Sequence, residues 1–385
     1  MLKGNYPIGD FASMRTPFYF YDLPLLRRTL VEVNKCAAIS PDFHVHYAIK
    51  ANFNPVLLRE IAAAGLGADC VSGNEVKAAL EAGFKPSGIV FAGVGKTDED
   101  IEFSLKAGIE RFNIESAAEL EVINEIALAI NKIARISIRV NPDIGAHTHA
   151  NITTGLSENK FGINYEQLED VIKLALSLPG IEYKGLHFHI GSQILDMNDF
   201  VALCNRINTL VEDLENVGLP VGDINVGGGL GINYEHPNHF PVANFDSYFK
   251  TFRNHLDLPK GTPVHFELGR SIVAPCGTLI SKVLYVKEGT TRRFAIIDAS
   301  MTELIRPALY KAYHRIENLT SDEPEEIYDI VGPVCESSDV FLKAFSMDKC
   351  HRGDYLAIRS AGAYGESMAS RYNLRPLPES YYLKY

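Results

Sequence analysis

The sequence predicts an α/β protein, a (β/α)8 TIM-type barrel followed by a separate β-rich domain. From Asp42 to Arg270, eight short apolar runs alternate with helical patterns, the signature of strands wound into one parallel sheet. That stretch has about the length of such a barrel, for which ~250 residues is typical. After about Ala274 the helical patterns give way to β-rich runs separated by glycine and proline. A chain of 385 residues is too long for one small domain and suits a barrel plus a second module.

In chain order the barrel strands are expected at His44–Ile49, Ala68–Val71, Gly88–Ala92, Arg111–Ile114, Arg135–Val140, Tyr183–His189, Asp223–Val226 and Val264–Leu268. Two of the helices between them show a clear apolar stripe. Leu168, Val171, Ile172, Ala175 and Leu176 recur at helical spacing, as do Phe200, Leu203, Cys204, Ile207, Leu210, Val211 and Leu214. Asn54-Pro55 reads as an N-cap followed by the first helical residue, and Ser116 to Glu119 as a capping box. Ser72 to Glu75 reads the same way, although Asp69 just before it is placed to touch a ligand at the barrel mouth. The β-rich part holds Thr278–Glu288, Phe294–Asp298, Ile327–Val331 and Tyr355–Ile358, with Pro17–Tyr21 as a further strand reached before the barrel. The expected domains are therefore 22–275 for the barrel and 1–21 plus 276–385 for the β-sandwich-like remainder.

Bulk properties exclude several classes. A hydrophobic content of 46% with 22% charged residues is that of a soluble globular chain. A net charge of -11 without any basic stripe argues against nucleic acid or an anionic membrane as partner. Met1–Asp10 has neither a basic start nor an apolar core, so no signal peptide is expected. No apolar stretch approaches the ~20 residues of a membrane span. Six scattered cysteines without a C-x-x-C pair suit reduced thiols in a cytoplasm and no metal site.

The chemistry gathers at strand ends, where a parallel barrel builds its active site. Lys50 closes the first run, and lysine is the side chain that condenses with aldehydes. His189, Gly227-Gly228-Gly229 and Glu267 close three others. Glu267 can keep a pyridine nitrogen protonated, His189 can stack on a ring, and consecutive glycines let backbone N–H groups close on a phosphate. Taken singly, each has a plain alternative: a salt-bridged carboxylate, a half-buried histidine, a loose loop. Together with Lys50 they describe a site for pyridoxal 5'-phosphate (PLP). Two nucleotide motifs fail. Gly95-Lys96-Thr97 lacks the earlier glycine of a P-loop because Val90 stands there, and Gly227 to Gly231 lacks the last glycine of G-x-G-x-x-G. In the β-rich part, Cys335 follows the turn Gly332-Pro333-Val334 and is exposed enough to act as an acid. Arg306 and Tyr310 lie about one helical turn apart and suit a carboxylate, though a surface arginine beside a packed tyrosine would look alike.

These motifs resemble the PLP-dependent decarboxylases of the alanine-racemase-like fold. The resemblance runs from Thr16-Pro17-Phe18-Tyr19 to Tyr372-Asn373. Its most specific pieces are Tyr47 to Asn52, Thr148-His149 with Thr154-Gly155, Lys160-Phe161-Gly162 and His187 to Gln193, then Glu267 to Arg270, Arg306 to Tyr310, Cys335-Glu336-Ser337 and Ala361 to Tyr364. It implies a homodimer whose active sites are shared between one barrel and the partner's β domain. It implies that Lys50 carries PLP, with Asp69, His189, Ser192, Gly228, Gly229, Glu267, Leu268, Gly269, Arg270 and Tyr364 around the cofactor. Cys335 would be the proton donor after CO2 leaves. Arg270, Arg306, Tyr310, Glu336 and Tyr364 would contact substrate, with the division of Arg270 between substrate and phosphate left open. Lys160-Phe161-Gly162 is similar to part of a mobile loop over the site. Two segments depart from the family pattern: Asp298 to Glu303, where Ala-Gly-Met-Asn is expected, and Asn74, where a glycine is usual. The expected substrate is meso-diaminopimelate, giving L-lysine and CO2. Its second amino-acid head needs a cation and an anion at the far end, and Arg306 and Glu336 supply that pair. Sibling decarboxylases acting on ornithine, arginine or carboxynorspermidine are the alternative, and a non-catalytic PLP-binding barrel protein is disfavoured by the large β domain with Cys335.

Overall fold

A computed structural model describes residues 3–4, 6–142 and 160–384. The motif residues Thr148-His149 and Thr154-Gly155 lie outside the described residues. The chain divides into two compact units, one formed by Leu30–Gly231 and Asn244–Gly269, the other by Met1–Thr29, Ile232–Ala243 and Arg270–Tyr385.

Strand β1 (Phe18–Asp22) comes earliest in the chain and belongs to the second unit. The eight barrel strands follow: β2 (Phe43–Ala48), β3 (Gly67–Cys70), β4 (Ile89–Phe91), β5 (Arg111–Ile114), β6 (Ala134–Arg139), β7 (Ile181–His187), β8 (Asp223–Asn225) and β9 (Val264–Leu268). All pair in parallel, and β9 returns to β2 with His46 opposite Glu267, which closes the barrel. All eight expected strands are present. The first ends earlier than expected, because Ile49–Ala51 tighten into a 3₁₀ turn that carries Lys50 out of the ladder.

The interior of this barrel is polar to an unusual degree, since branched apolar residues dominate most such interiors. Residues two apart on a strand face the same way, and the buried pairs Arg111/Asn113, Ser137/Arg139 and His265/Glu267 share this spacing, as do Asp223 and Asn225. The outer helices supply the apolar seal. Helix Tyr165–Ser177 buries Leu168, Val171, Ile172 and Ala175, whereas Leu176, expected in that stripe, is 53% exposed. Eight residues turn a helix about 80° past the starting direction, which carries Leu176 off the buried face.

The helix starts follow the sequence, with a changed partner at two of them. Asn54 accepts from the Val56 N–H ahead of helix Pro55–Ala63. Ser72 and Ser116 accept from the N–H groups of Glu75 and Glu119. The returning carboxylates reach one residue further back than a reciprocal box requires, to the N–H groups of Val71 and Glu115. Thr97 and Asp100 form the full reciprocal box instead. Beside them Lys96 is an internal strut, donating to the Gly93 and Asn113 carbonyls and to Glu119.

The second unit is built on β10 (Gly277–Glu288), β11 (Arg293–Ile297), β12 (Ile316–Asn318), β13 (Glu325–Val331), β14 (Val340–Asp348), β15 (Tyr355–Ile358) and β16 (Glu379–Leu383). Its order is β12-β15-β10-β11-β13-β14, with β1 pairing both β10 and β16. Phe11, Phe18, Phe20, Ile280, Tyr355 and Ala357 form one of its apolar clusters. Strands β12, β14 and β16 were not anticipated from the sequence: β12 has three residues, and β14 and β16 bury little of their surface. Among the described residues no helix is long and apolar enough to cross a membrane.

Candidate active site

In the barrel unit, Glu267 near the end of β9 is the best-supported side chain of the mouth. Its Oε1 accepts from Asn113 Nδ2 at 3.1 Å and Asn225 Nδ2 at 2.8 Å, and its Oε2 faces His187 Nε2 at 3.1 Å. Burial alone would push this carboxyl up, but His187, followed by Lys50 and His189, outweighs it and holds Glu267 well below the usual carboxylate range. It is a fixed, buried anion.

Lys50 Nζ donates to Asp69 Oδ2 at 2.9 Å, from a half-exposed lysine to a fully buried carboxylate. Burial, and then the charge on Glu267, push Asp69 upward against the pull of Lys50. Asp69 Oδ1 is buried without a hydrogen-bond partner, and so is His187 Nδ1. Burial, with the charges of Arg139 and Lys50, holds His189 well below the ordinary histidine range, so its ring is neutral. His189 Nδ1 accepts from the Gly228 N–H at 3.3 Å, which leaves the ring proton on Nε2. A Cβ at Gly228 would overlap the Glu267 carbonyl oxygen, and Gly229 has φ +108°; both positions need glycine. The fixed anion, the neutral imidazole, the orphaned buried oxygen of Asp69 and the bare glycine backbone fit PLP, and Lys50 beside Asp69 offers an amine of the kind that condenses with its aldehyde.

A buried ion pair, Arg139 to Glu115 at 2.9 Å, stands nearby, and Glu115 also accepts from the N–H groups of Gly93 and Gly162. It anchors the end of the Lys160-Phe161-Gly162 motif, whose Phe161 ring lies 4.7 Å from the Arg139 guanidinium carbon. At the opposite ends of the strands, His46, Glu110 and His265 bring potential ligand atoms within 4.8 Å of one another. Their own contacts already account for them. His46 and His265 pair at 2.9 Å, His46 Nδ1 faces the Gly88 carbonyl, and Arg111 bridges Glu110 and Asp223.

In the second unit, Arg270 and Arg306 are both buried and both donate to Tyr234 Oη, at 2.8 and 3.0 Å. Burial would raise the Tyr234 phenol, but the two guanidinium groups outweigh it and lower it. The Arg270 guanidinium carbon lies 4.9 Å from the Tyr364 ring. Arg306 and Tyr310 occupy the two ends of one short helix, Arg306–Tyr310. Cys335 is the exposed member of six free cysteines, with its N–H on Asn373 Oδ1. Glu336 Oε1 accepts from Tyr372 Oη at 2.5 Å. The departing segment forms a buried cluster of Ser300, Thr302 and Glu303 closed by Arg375.

The structure thus brings Lys50, Asp69, His189, Gly228, Gly229 and Glu267 together in one unit, and Arg270, Arg306 and Tyr364 in the other. The sequence reading missed Asn113, His187 and Asn225, which fix Glu267, and Tyr234 and His314, which fix the arginines. Asn113 and Asn225 left one faint mark in the sequence: each stands two residues after another polar residue, Arg111 and Asp223, on a short strand.

Comparison with known proteins points to the same cofactor. The family described as "Pyridoxal-dependent decarboxylase, pyridoxal binding domain" matches residues 26–274. A diaminopimelate decarboxylase of Bacteroides thetaiotaomicron is 59% identical over 99% of this chain and 98% of that protein. One from Zymomonas mobilis is 43% identical over 96% of this chain and 88% of its own. The crystal structure of the Helicobacter pylori diaminopimelate decarboxylase complexed with L-lysine superposes with a TM-score of 0.92 at 40% identity, covering 98% of this chain and 94% of that one.

Proposed function

The chain belongs to the pyridoxal-dependent decarboxylases, and from that premise we infer that it converts meso-diaminopimelate to L-lysine and CO2. The buried, caged anion of Glu267 in the same barrel mouth as Lys50 is the observation that carries the reaction class. PLP, when bound, supplies an electron sink for the pair left behind as CO2 departs. Lys50 holds the cofactor and Asp69 holds Lys50 in place. Glu267, kept ionised by His187, keeps a proton on the pyridine nitrogen, and His189 packs as a neutral ring. The backbone of Gly228, Gly229 and Glu267 to Arg270 takes the phosphate, with Ser192 and Tyr364 assisting.

Substrate selection rests on charge. Meso-diaminopimelate carries a second ammonium and carboxylate beyond the reacting carbon. Arg306 receives the distal carboxylate with Tyr310, Arg270 and Tyr364 beside it, and Glu336 receives the distal ammonium. Cys335 Sγ delivers a proton to the carbon that has lost CO2. The reading includes a homodimer in which Cys335 and Glu336 serve the partner's barrel, and a cytoplasmic location consistent with six free thiols.

The test is turnover of a small panel. The purified chain with PLP should release CO2 from meso-diaminopimelate with a higher kcat/KM than from ornithine or arginine. A reversed order would discard the substrate assignment and leave the cofactor assignment standing.

A further inference from the structure

The second unit contains a device around Arg306 that the reaction above does not require by itself. A guanidinium has five N–H donors, two on each Nη and one on Nε. In Arg306 both Nη1 protons have acceptors: Tyr234 Oη at 3.0 Å and His314 Nε2 at 2.7 Å. The direction of the second bond follows from the far side of the ring. His314 Nδ1 lies 2.9 Å from the Arg359 carbonyl oxygen, which can only accept, so Nδ1 carries the ring proton. Burial, and then the Arg306 charge, push His314 down to about 3, so the ring stays neutral with Nε2 bare. The tautomer is set by the backbone, and the bare nitrogen is aimed at Arg306.

Tyr234 is fixed just as firmly. Its oxygen also accepts from Arg270 Nη1 at 2.8 Å, and its ring packs against His314 with centroids 5.0 Å apart at 76°. Arg306 is 5% exposed, and its Nε has no hydrogen-bond partner. A buried donor left unpaired is costly unless a ligand completes it. The Nε–H and one Nη2–H lie parallel along a single edge, the fork that matches a carboxylate with two bonds. Occupying Nη1 alone therefore reserves the Nε–Nη2 edge.

We propose that Tyr234 and His314 are positioning residues that lock Arg306 by its Nη1, so that its Nε–Nη2 edge receives the distal carboxylate of the substrate. The proposal rests on the reading that Arg306 meets that carboxylate. Neither residue touches substrate. Their effect is to remove the rotational freedom of a guanidinium that has two paired-donor edges, Nε–Nη2 and Nη1–Nη2, and must present the first.

Three variants and three ligands separate this from a general packing role. Meso-diaminopimelate and L-lysine both keep the distal carboxylate; pentane-1,5-diamine lacks it. Tyr234→Phe and His314→Leu should raise KM for diaminopimelate and weaken inhibition by lysine by about tenfold each, with kcat within about threefold of wild type and inhibition by the diamine unchanged. His314→Gln, which offers an amide oxygen near the Nε2 position, should recover most of the loss. Equal weakening of lysine and diamine, a fall in kcat with KM unchanged, or no change at all would overturn the proposal. If His314→Leu does not fold, Tyr234→Phe, which removes one oxygen only, decides alone. Failure of the wild type to turn over diaminopimelate would instead count against the substrate assignment.

Discussion

A carboxylate inside a barrel stays ionised only where its neighbours outweigh the cost of burial. Glu267 meets that condition through one histidine and two asparagines, each on a different strand. Replacing it by glutamine keeps the volume and removes the charge that the cofactor nitrogen needs. Glu267→Gln should therefore retain PLP on Lys50, read as the visible absorbance of the bound cofactor, while kcat falls at least a hundredfold, about 3 kcal/mol. Near wild-type turnover would remove Glu267 from its assigned role. Cys335→Ala makes the opposite control. It should bind cofactor and substrate normally and fail in protonating the product, whereas Lys50→Ala should lose the borohydride-fixed cofactor altogether.

At the scale of the strand, interior polarity has a cost that pH exposes. His46 on β2 is pushed down to about 4 by burial, and then by His265 on β9; an unfolded histidine titrates near ~6.5. Between those two values the unfolded chain binds a proton that the folded barrel refuses, so stability rises with pH across that window. The contribution is complete above ~6.5 and is lost as pH falls through the folded value, a change on the order of 3 kcal/mol. Urea midpoints measured from pH 7 to 4 should fall more steeply for wild type than for His46→Leu; parallel curves would show that His46 titrates normally. The same period-2 polarity decided how much could be read in advance. The eight barrel strands were legible because apolar runs alternate with amphipathic helices, and Lys50, His189 and Glu267 because they close such runs. Asn113 and Asn225 were hidden, since an asparagine inside a short strand gives no sign of the partner it faces across the barrel. Tyr234 and His314 were harder still. Their meaning lies in which Arg306 nitrogen they occupy, and no spacing in the chain records that. Strand β16 went unseen because its half-exposed residues alternate too weakly to mark a buried face.

For the whole molecule, the proposed reaction assigns roles to residues of both compact units. Lys50 and Glu267 belong to the barrel unit, and Cys335 and Glu336 to the other. A two-fold dimer in which each β unit covers the partner's barrel gives two equivalent sites, each drawing on both chains. Such sharing has a countable consequence. Lys50→Ala and Cys335→Ala should each be nearly inactive as homodimers. In a mixed dimer, one site collects both defects and the other collects neither. Random exchange of equal amounts makes about half the dimers mixed, and half the sites in those are intact, so activity should recover to roughly a quarter of wild type. Exchange itself can be followed independently with a mass-tagged subunit. Recovery near a quarter, appearing at the rate of exchange, requires that the two side chains meet across the interface. If exchange is complete and activity stays at the level of the separate variants, Cys335 acts on its own chain's barrel and the shared site is wrong.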